Sequence, residues 1–145
     1  MNVTKRKPAV IDTNIIVSGL LSNMDAYPSK IINAWLLGEI QVAFSEELKQ
    51  ELHCVLKKPY IHKLFQGHKS IRPILGRLYN KSIMFNPKTI SEVTFPDPTD
   101  HFLLELAVTA KAVFIVTGDK KLLDIKKARG IQILSPKQFC AKYRL

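Results

Sequence analysis

Read from the N-terminus, the chain alternates short unbroken apolar runs with longer stretches in which apolar residues recur every three or four positions. The runs are AVI at 9–11, QVAF at 41–44, SIMF at 82–85, VFIVT at 113–117 and IQIL at 131–134. None shows the alternation of a strand with one wet face, so each reads as a strand covered on both sides. Covered strands separated by helices predict an α/β fold built on a parallel sheet. Helix boundaries are marked by residue chemistry. Pro28 opens a helix that Gly38 closes, Ser45 caps one running to about Leu56, and Asp97-Pro98 start one running to about Lys111. Further helices fit 60–66, 71–79, 120–128 and 136–142. In the helix from Pro28 the stripe Ile31, Ile32, Trp35 and Leu36 could serve core or interface, and core is the commoner outcome.

One run breaks the pattern. In Val10-Ile11-Asp12-Thr13-Asn14-Ile15-Ile16-Val17 a carboxylate and an amide interrupt a stretch heading into the core. A buried carboxylate without partners costs several kcal/mol or gives up its charge, so Asp12 needs a compensating partner.

The strand ends supply a candidate. In an open parallel sheet, ligands bind beyond the carboxyl ends of the strands. The first strand runs into Asp12 and Asn14, the second into Ser45-Glu46-Glu47, and the fourth into Gly118-Asp119. On the helix from Asp97-Pro98 the apolar stripe is Leu103, Leu104 and Ala107, and the i, i+3, i+4, i+7 spacing puts Asp100 on that inward face. Asp97-x-x-Asp100 also imitates a capping box, which accounts for Asp97 better than for Asp100. On the helix from Ser45, Glu51 falls roughly 85° from the centre of the stripe Leu48, Leu52, Val55, Leu56 and is its boundary acid. Glu46 and Glu47 lie further round and suit the helix dipole.

Asp12, Glu51, Asp100 and Asp119 are therefore the candidate site acids. Four carboxylates at one edge cannot all ionise without a counter-charge, and one or two divalent cations would provide it. Oxygen-only ligation selects Mg²⁺ or Mn²⁺ over zinc. His53, His62, His68 and His101 show no ligand spacing and read as surface or nucleic-acid contacts at best.

Composition adds the substrate class. The 145 residues suit one domain, 1–145, with 22 basic against 12 acidic residues and a formal charge of +10. Setting the four candidate acids aside leaves eight acids among 22 bases on the rest of the chain. Such a surface favours a polyanion, and a carboxylate-held metal beside it points to phosphodiester hydrolysis. Lys120 and Lys121, directly after Asp119, are candidate phosphate contacts or simply a charged first turn. The stretch from Lys57 to Lys88, rich in Lys, Arg and His, reads as a basic helical arm or an exposed helical pair. Cys54 and Cys140 fit neither a disulfide framework nor a zinc site, which suits a reducing cytoplasm. No apolar run nears the ~18 residues of a membrane span, so a soluble, unprocessed chain is expected.

The segments VIDTNIIVSGLL, FSEELKQELHCVLKKP, DPTDHFLLELAVTAKAVFIVTGDKKLL and GIQILSPKQF, in this order and spacing, resemble the PIN-domain ribonucleases, in particular the toxin branch of toxin-antitoxin modules. The match covers most of the chain and is poorest from about Tyr60 to Glu92. The resemblance implies a three-layer α/β/α sandwich, here with a mostly parallel five-stranded sheet, and metal-dependent endonucleolytic cleavage of RNA. It carries the family's acids onto Asp12, Glu51, Asp100 and Asp119, with Asn14 and Thr117 as supporting polar residues. Asp12, Asp100 and Asp119 would then hold Mg²⁺ or Mn²⁺, and Glu51 would bind or orient its water. It also implies an antitoxin partner and a homodimer. Two other readings compete. Asp12-Thr13-Asn14 with Gly118-Asp119 and Asp124 is similar to the haloacid dehalogenase-like phosphatases, but Asn14 stands where that pattern wants a second aspartate. A non-catalytic nucleic-acid-binding module would leave the acids as caps.

Overall fold

The computed structural model describes residues 7–65, 71–90, 95 and 97–145. His68, Lys69 and the last residue of the helix expected over 60–66 lie outside these. The described residues form one six-stranded sheet in the order β3-β2-β1-β4-β6-β5. Its strands are β1 (Ala9–Ile11), β2 (Val42–Phe44), β3 (Ser82–Met84), β4 (Phe114–Val116), β5 (Lys127–Ala128) and β6 (Ile131–Leu134). Helices connect and cover them: α1 (Thr13–Leu21), α2 (Tyr27–Leu36), α3 (Glu46–Lys57), α4 (Pro59–Leu64), α5 (Ile71–Lys81), α6 (His101–Ala110), α7 (Lys120–Ile125) and α8 (Pro136–Tyr143). The architecture is the expected α/β/α sandwich.

The strands are parallel apart from β5. Register is set by Ala9 opposite both Val42 and Phe114, and by Val116 opposite Leu134. From β1 the chain steps outward to β2 and β3, then returns through α6 to place β4 on the other flank of β1. The direction of winding therefore reverses between β1 and β4, the crevice where open α/β sheets bind ligands. With right-handed crossovers, the outward and returning connections cover opposite faces. In keeping with this, α6 packs across β1, β2 and β4, while α2 packs against α1 and α8.

Three elements differ from the sequence-based expectation. The sheet has six strands rather than five, because the stretch expected as a helix over 120–128 divides. α7 stops at Ile125, Lys126 turns at φ 67°, and Lys127–Ala128 pairs antiparallel with β6 across Arg129-Gly130. Both loop residues have positive φ, 50° and 81°, as a two-residue primed hairpin turn requires, and Gly130 meets that demand at little steric cost. The second difference is α1, which begins immediately after Asp12. Its apolar run 15–17 is buried throughout, so it lacks the amphipathic period that marks a surface helix. The third is at Pro98–Asp100, a single 3₁₀ turn that precedes α6.

The core is apolar and continuous. Trp35, Phe44, Phe139, Ile16, Leu48, Leu52 and Leu103 are all fully buried, which resolves the α2 stripe as core. Gly19 sets the spacing of α1 and α2. A Cβ there would meet Ile32 Cγ1 at 2.5 Å and the Pro28 carbonyl oxygen at 2.7 Å. On the other flank Tyr79 of α5 packs edge-on against Phe44 and lies under the Lys49 ammonium at 4.9 Å, joining α5, β2 and α3. Among the described residues no helix is long and apolar enough to cross a membrane.

Candidate active site at the sheet switch point

Asp12 follows β1 and is 7% exposed. It occupies the N-cap of α1, where its side chain makes no full cap bond but the Thr13 and Asn14 amides favour its charged form. Its Oδ2 accepts a 2.8 Å hydrogen bond from the Thr117 hydroxyl at the end of β4, and its backbone N–H donates to the Val116 carbonyl at 2.9 Å. The switch point is thus closed by a main-chain and a side-chain bond. Thr117 is fully buried, and its hydroxyl also accepts the Asp119 amide at 3.1 Å. One hydroxyl therefore aligns two of the acids.

Glu51 reaches the site from α3. Its Oε2 accepts the Thr13 hydroxyl at 2.7 Å, so α3 and α1 are tied one residue beyond Asp12. Thr13 is 2% exposed and was not among the residues singled out from the sequence. A buried hydroxyl needs a partner, but which partner depends on α3 lying alongside α1.

Asp97 and Asp100 divide the roles that the sequence left contested. Asp97 caps: its Oδ1 accepts the Thr99 amide at 3.0 Å and the Thr99 hydroxyl at 2.8 Å. Those bonds, with Lys121 nearby, hold its carboxyl below the usual aspartate range. Asp100, half-buried, ends the 3₁₀ turn in αR geometry directly before α6, so it is a helical residue rather than a cap, and its side chain makes no cap bond. Burial, and then the charges of Asp12, Asp97 and Asp119, push its pKa up to about 6. Burial likewise raises Asp12, the Thr117 hydrogen bond pulls it back, and the charge of Glu51 raises it again. The charge of Glu51 thus bears on Asp12, and those of Asp12 and Asp119 bear on Asp100.

The donor set bears on the counter-ion. Among the described residues, no group of three or more His, Cys, Asp or Glu side chains is placed to hold a metal ion by itself. Zinc would demand such a group, with His or Cys in it. Mg²⁺ retains several waters and is commonly held by one or two carboxylates plus substrate phosphate. Carboxylates raised in pKa by burial and by one another fit a hydrated cation of that kind.

The remaining candidates divide by exposure. Asn14 is exposed on the first turn of α1, and Lys120 and Lys121 are exposed on the first turn of α7, next to Asp119. Asp119 is also the N-cap of α7, accepting the Lys121 amide at 2.9 Å. Asp124, which a phosphatase pattern would use, is exposed further along α7. His101 corrects the expectation of a surface histidine. Its ring is partly buried, and Nε2 donates to the Ile90 carbonyl at 2.9 Å. Glu105 accepts the Ile90 amide at 2.8 Å and Thr109 accepts the Lys88 amide at 3.0 Å, so one face of α6 holds the extended segment 88–90.

Two comparisons with known proteins bear on this arrangement. The family profile described as PIN domain matches residues 8–121, a span that contains Asp12, Glu51, Asp100 and Asp119. No curated protein matches the chain.

Proposed function

The chain belongs to the PIN-domain family, whose members are typically metal-dependent nucleases, and from that premise we propose that it is an Mg²⁺- or Mn²⁺-dependent endoribonuclease. The observation that carries this reading is the pair Asp12 and Asp100. Asp12 is buried at the end of β1, burial and the charges of Asp12, Asp97 and Asp119 oppose the ionisation of Asp100, and among the described residues no basic side chain is paired with either. Carboxylates brought together without a counter-charge oppose one another's ionisation. That cost makes sense if they serve a cation.

Asp12, Asp100 and Asp119 hold the cation, directly or through its waters, and Glu51, fixed by Thr13, orients a water. A divalent cation there supplies an activated water and charge compensation at the leaving oxygen of the phosphodiester. Thr117 keeps Asp12 and Asp119 in register, and Asn14 lines the mouth. Lys120 and Lys121 offer ammonium groups to phosphates beside the scissile bond. The formal charge of +10 draws the polyanion to the acidic edge despite the local negative charge. In the cell we place the enzyme in the cytoplasm as the toxin of a toxin-antitoxin module, a homodimer whose antitoxin covers this edge.

The test is cleavage of a labelled structured RNA by the purified protein with Mg²⁺, with Mn²⁺ and with EDTA, alongside Asp12→Asn and Asp100→Asn. Metal-dependent cleavage lost in both folded variants supports the reading. Equal RNA binding by all three proteins with no cleavage under any metal would sink it.

A further inference from the structure

Beside the acidic crevice lies a groove of ≈ 690 Å³ between α7, the β5–β6 edge and the start of α8. Its floor includes Leu123 and Ile133, and its rim carries Lys126, Lys127 and Lys137. All three lysines are exposed. Among the described residues no carboxylate lies within ion-pair distance of any of them, and no acid lines the groove. This is a cationic channel with an apolar floor, and its cations are not committed to partners within the fold.

The groove takes in the end of β6, the strand next to β4. Leu134, in its wall, accepts the Thr117 amide at 3.0 Å, and Thr117 holds Asp12. α7 links the two regions: Asp119 caps its first turn, while Leu123 and Lys126, at its last turn and C-cap, line the groove. Six helical residues rise about 9 Å. At about 3.4 Å per nucleotide in a stacked strand, and more in an unstacked one, that spans at most two or three nucleotides.

We propose that this groove is a nucleic-acid subsite. Lys126, Lys127 and Lys137 bind the phosphates of a single strand two to three nucleotides to one side of the scissile bond. The inference rests on the nuclease reading and adds to it where the strand leaves the active site. A single strand suits the groove because an unpaired base can lie on the apolar floor while its phosphates face the lysines. The charge and the floor do different work: the lysines set affinity and its salt dependence, and the floor favours unpaired over paired nucleotides.

The experiment measures binding of a fluorescent single-stranded RNA nonamer to the Asp100→Asn protein, which is expected not to cut. It compares that protein with the same protein carrying Lys126→Gln, Lys127→Gln and Lys137→Gln, from 50 mM to 1 M salt. Losing three phosphate contacts lowers the slope of log K against log salt by about 2 and weakens binding on the order of 100-fold at 0.1 M, with the gap closing towards 1 M. In the otherwise unmodified enzyme, the three glutamines are expected to leave cleavage of a dinucleotide, too short to reach the groove, near normal while raising KM for the nonamer. Equal salt slopes with and without the glutamines would overturn the subsite, even if metal-dependent cleavage is intact. Failure of every version to bind RNA would overturn the subsite and the nuclease reading together. A circular-dichroism melt of the triple variant controls for folding, and a nonamer no tighter than a dinucleotide on the lysine-bearing Asp100→Asn protein would refute the subsite without any lysine substitution.

Discussion

Asp100→Asn should stabilise the protein when no divalent cation is present. The Asp100 carboxyl titrates near 6 in the folded chain because of burial and then the charges of Asp12, Asp97 and Asp119, against about 3.9 when unfolded. A shift of about 2 units corresponds to a ceiling of about 3 kcal/mol. The carboxyl is only partly buried, so solvent screening reduces this to about 1 kcal/mol. The sign follows from proton linkage. The folded state holds the proton to higher pH than the unfolded state does, so this group costs no stability below about pH 4, and the penalty grows as pH rises through 6. The raised pKa of Asp12 acts in the same direction. In EDTA at pH 7.5 the asparagine variant should therefore melt about 2–4 °C above the unmodified protein. The difference should vanish near pH 4, and millimolar Mg²⁺ should restore much of it to the unmodified protein. Thermal melts across pH 4–8 in EDTA, repeated with Mg²⁺, measure each arm. If the variant melts lower than the unmodified protein at pH 7.5 in EDTA, Asp100 makes a stabilising contact and the like-charge argument is wrong.

Three other substitutions probe the support of the site and the fold. Thr117→Val removes the donor to Asp12 and the acceptor for the Asp119 amide. It should cost about 1–3 kcal/mol in urea unfolding and weaken Mg²⁺-dependent activity about 10–100-fold; unchanged activity would mean that Thr117 does not position the acids. Gly19→Ala forces a Cβ against Ile32 Cγ1 and the Pro28 carbonyl, and the α1–α2 pair should lose about 1–3 kcal/mol, read as a lower melting temperature. Gly130→Ala puts a side chain at φ 81° and should cost about 1–2 kcal/mol, with faster amide exchange at Ala128 and Ile131 as the local readout.

Most of the parallel α/β core was legible in the sequence because β1, β2, β4 and β6 are unbroken apolar runs covered on both faces; β3 departs from that expectation, since it lies at the sheet edge with Ile83 and Met84 exposed. The register and order of the strands were not legible. β1 takes both β2 and β4 as neighbours, a pairing of segments far apart in the chain that no local pattern encodes. β5 and the hairpin at Arg129-Gly130 were hidden for a related reason, since two residues make a strand only because β6 lies beside them. α1 is not legible because its run Ile15-Ile16-Val17 is buried without a break, which erases the period that betrays a surface helix.

For the site, the sequence alone could name Asp12, since a carboxylate within an apolar run has an energetic cost wherever the chain goes. It could also name Asp100 as the acid on an inward helical face. Only the tertiary structure decided that Thr13 holds Glu51, and that one Thr117 hydroxyl serves both Asp12 and Asp119. Cost and periodicity are properties of neighbouring residues, whereas a hydrogen bond between residues 12 and 117 exists only once the sheet has brought two distant strand ends to the same edge.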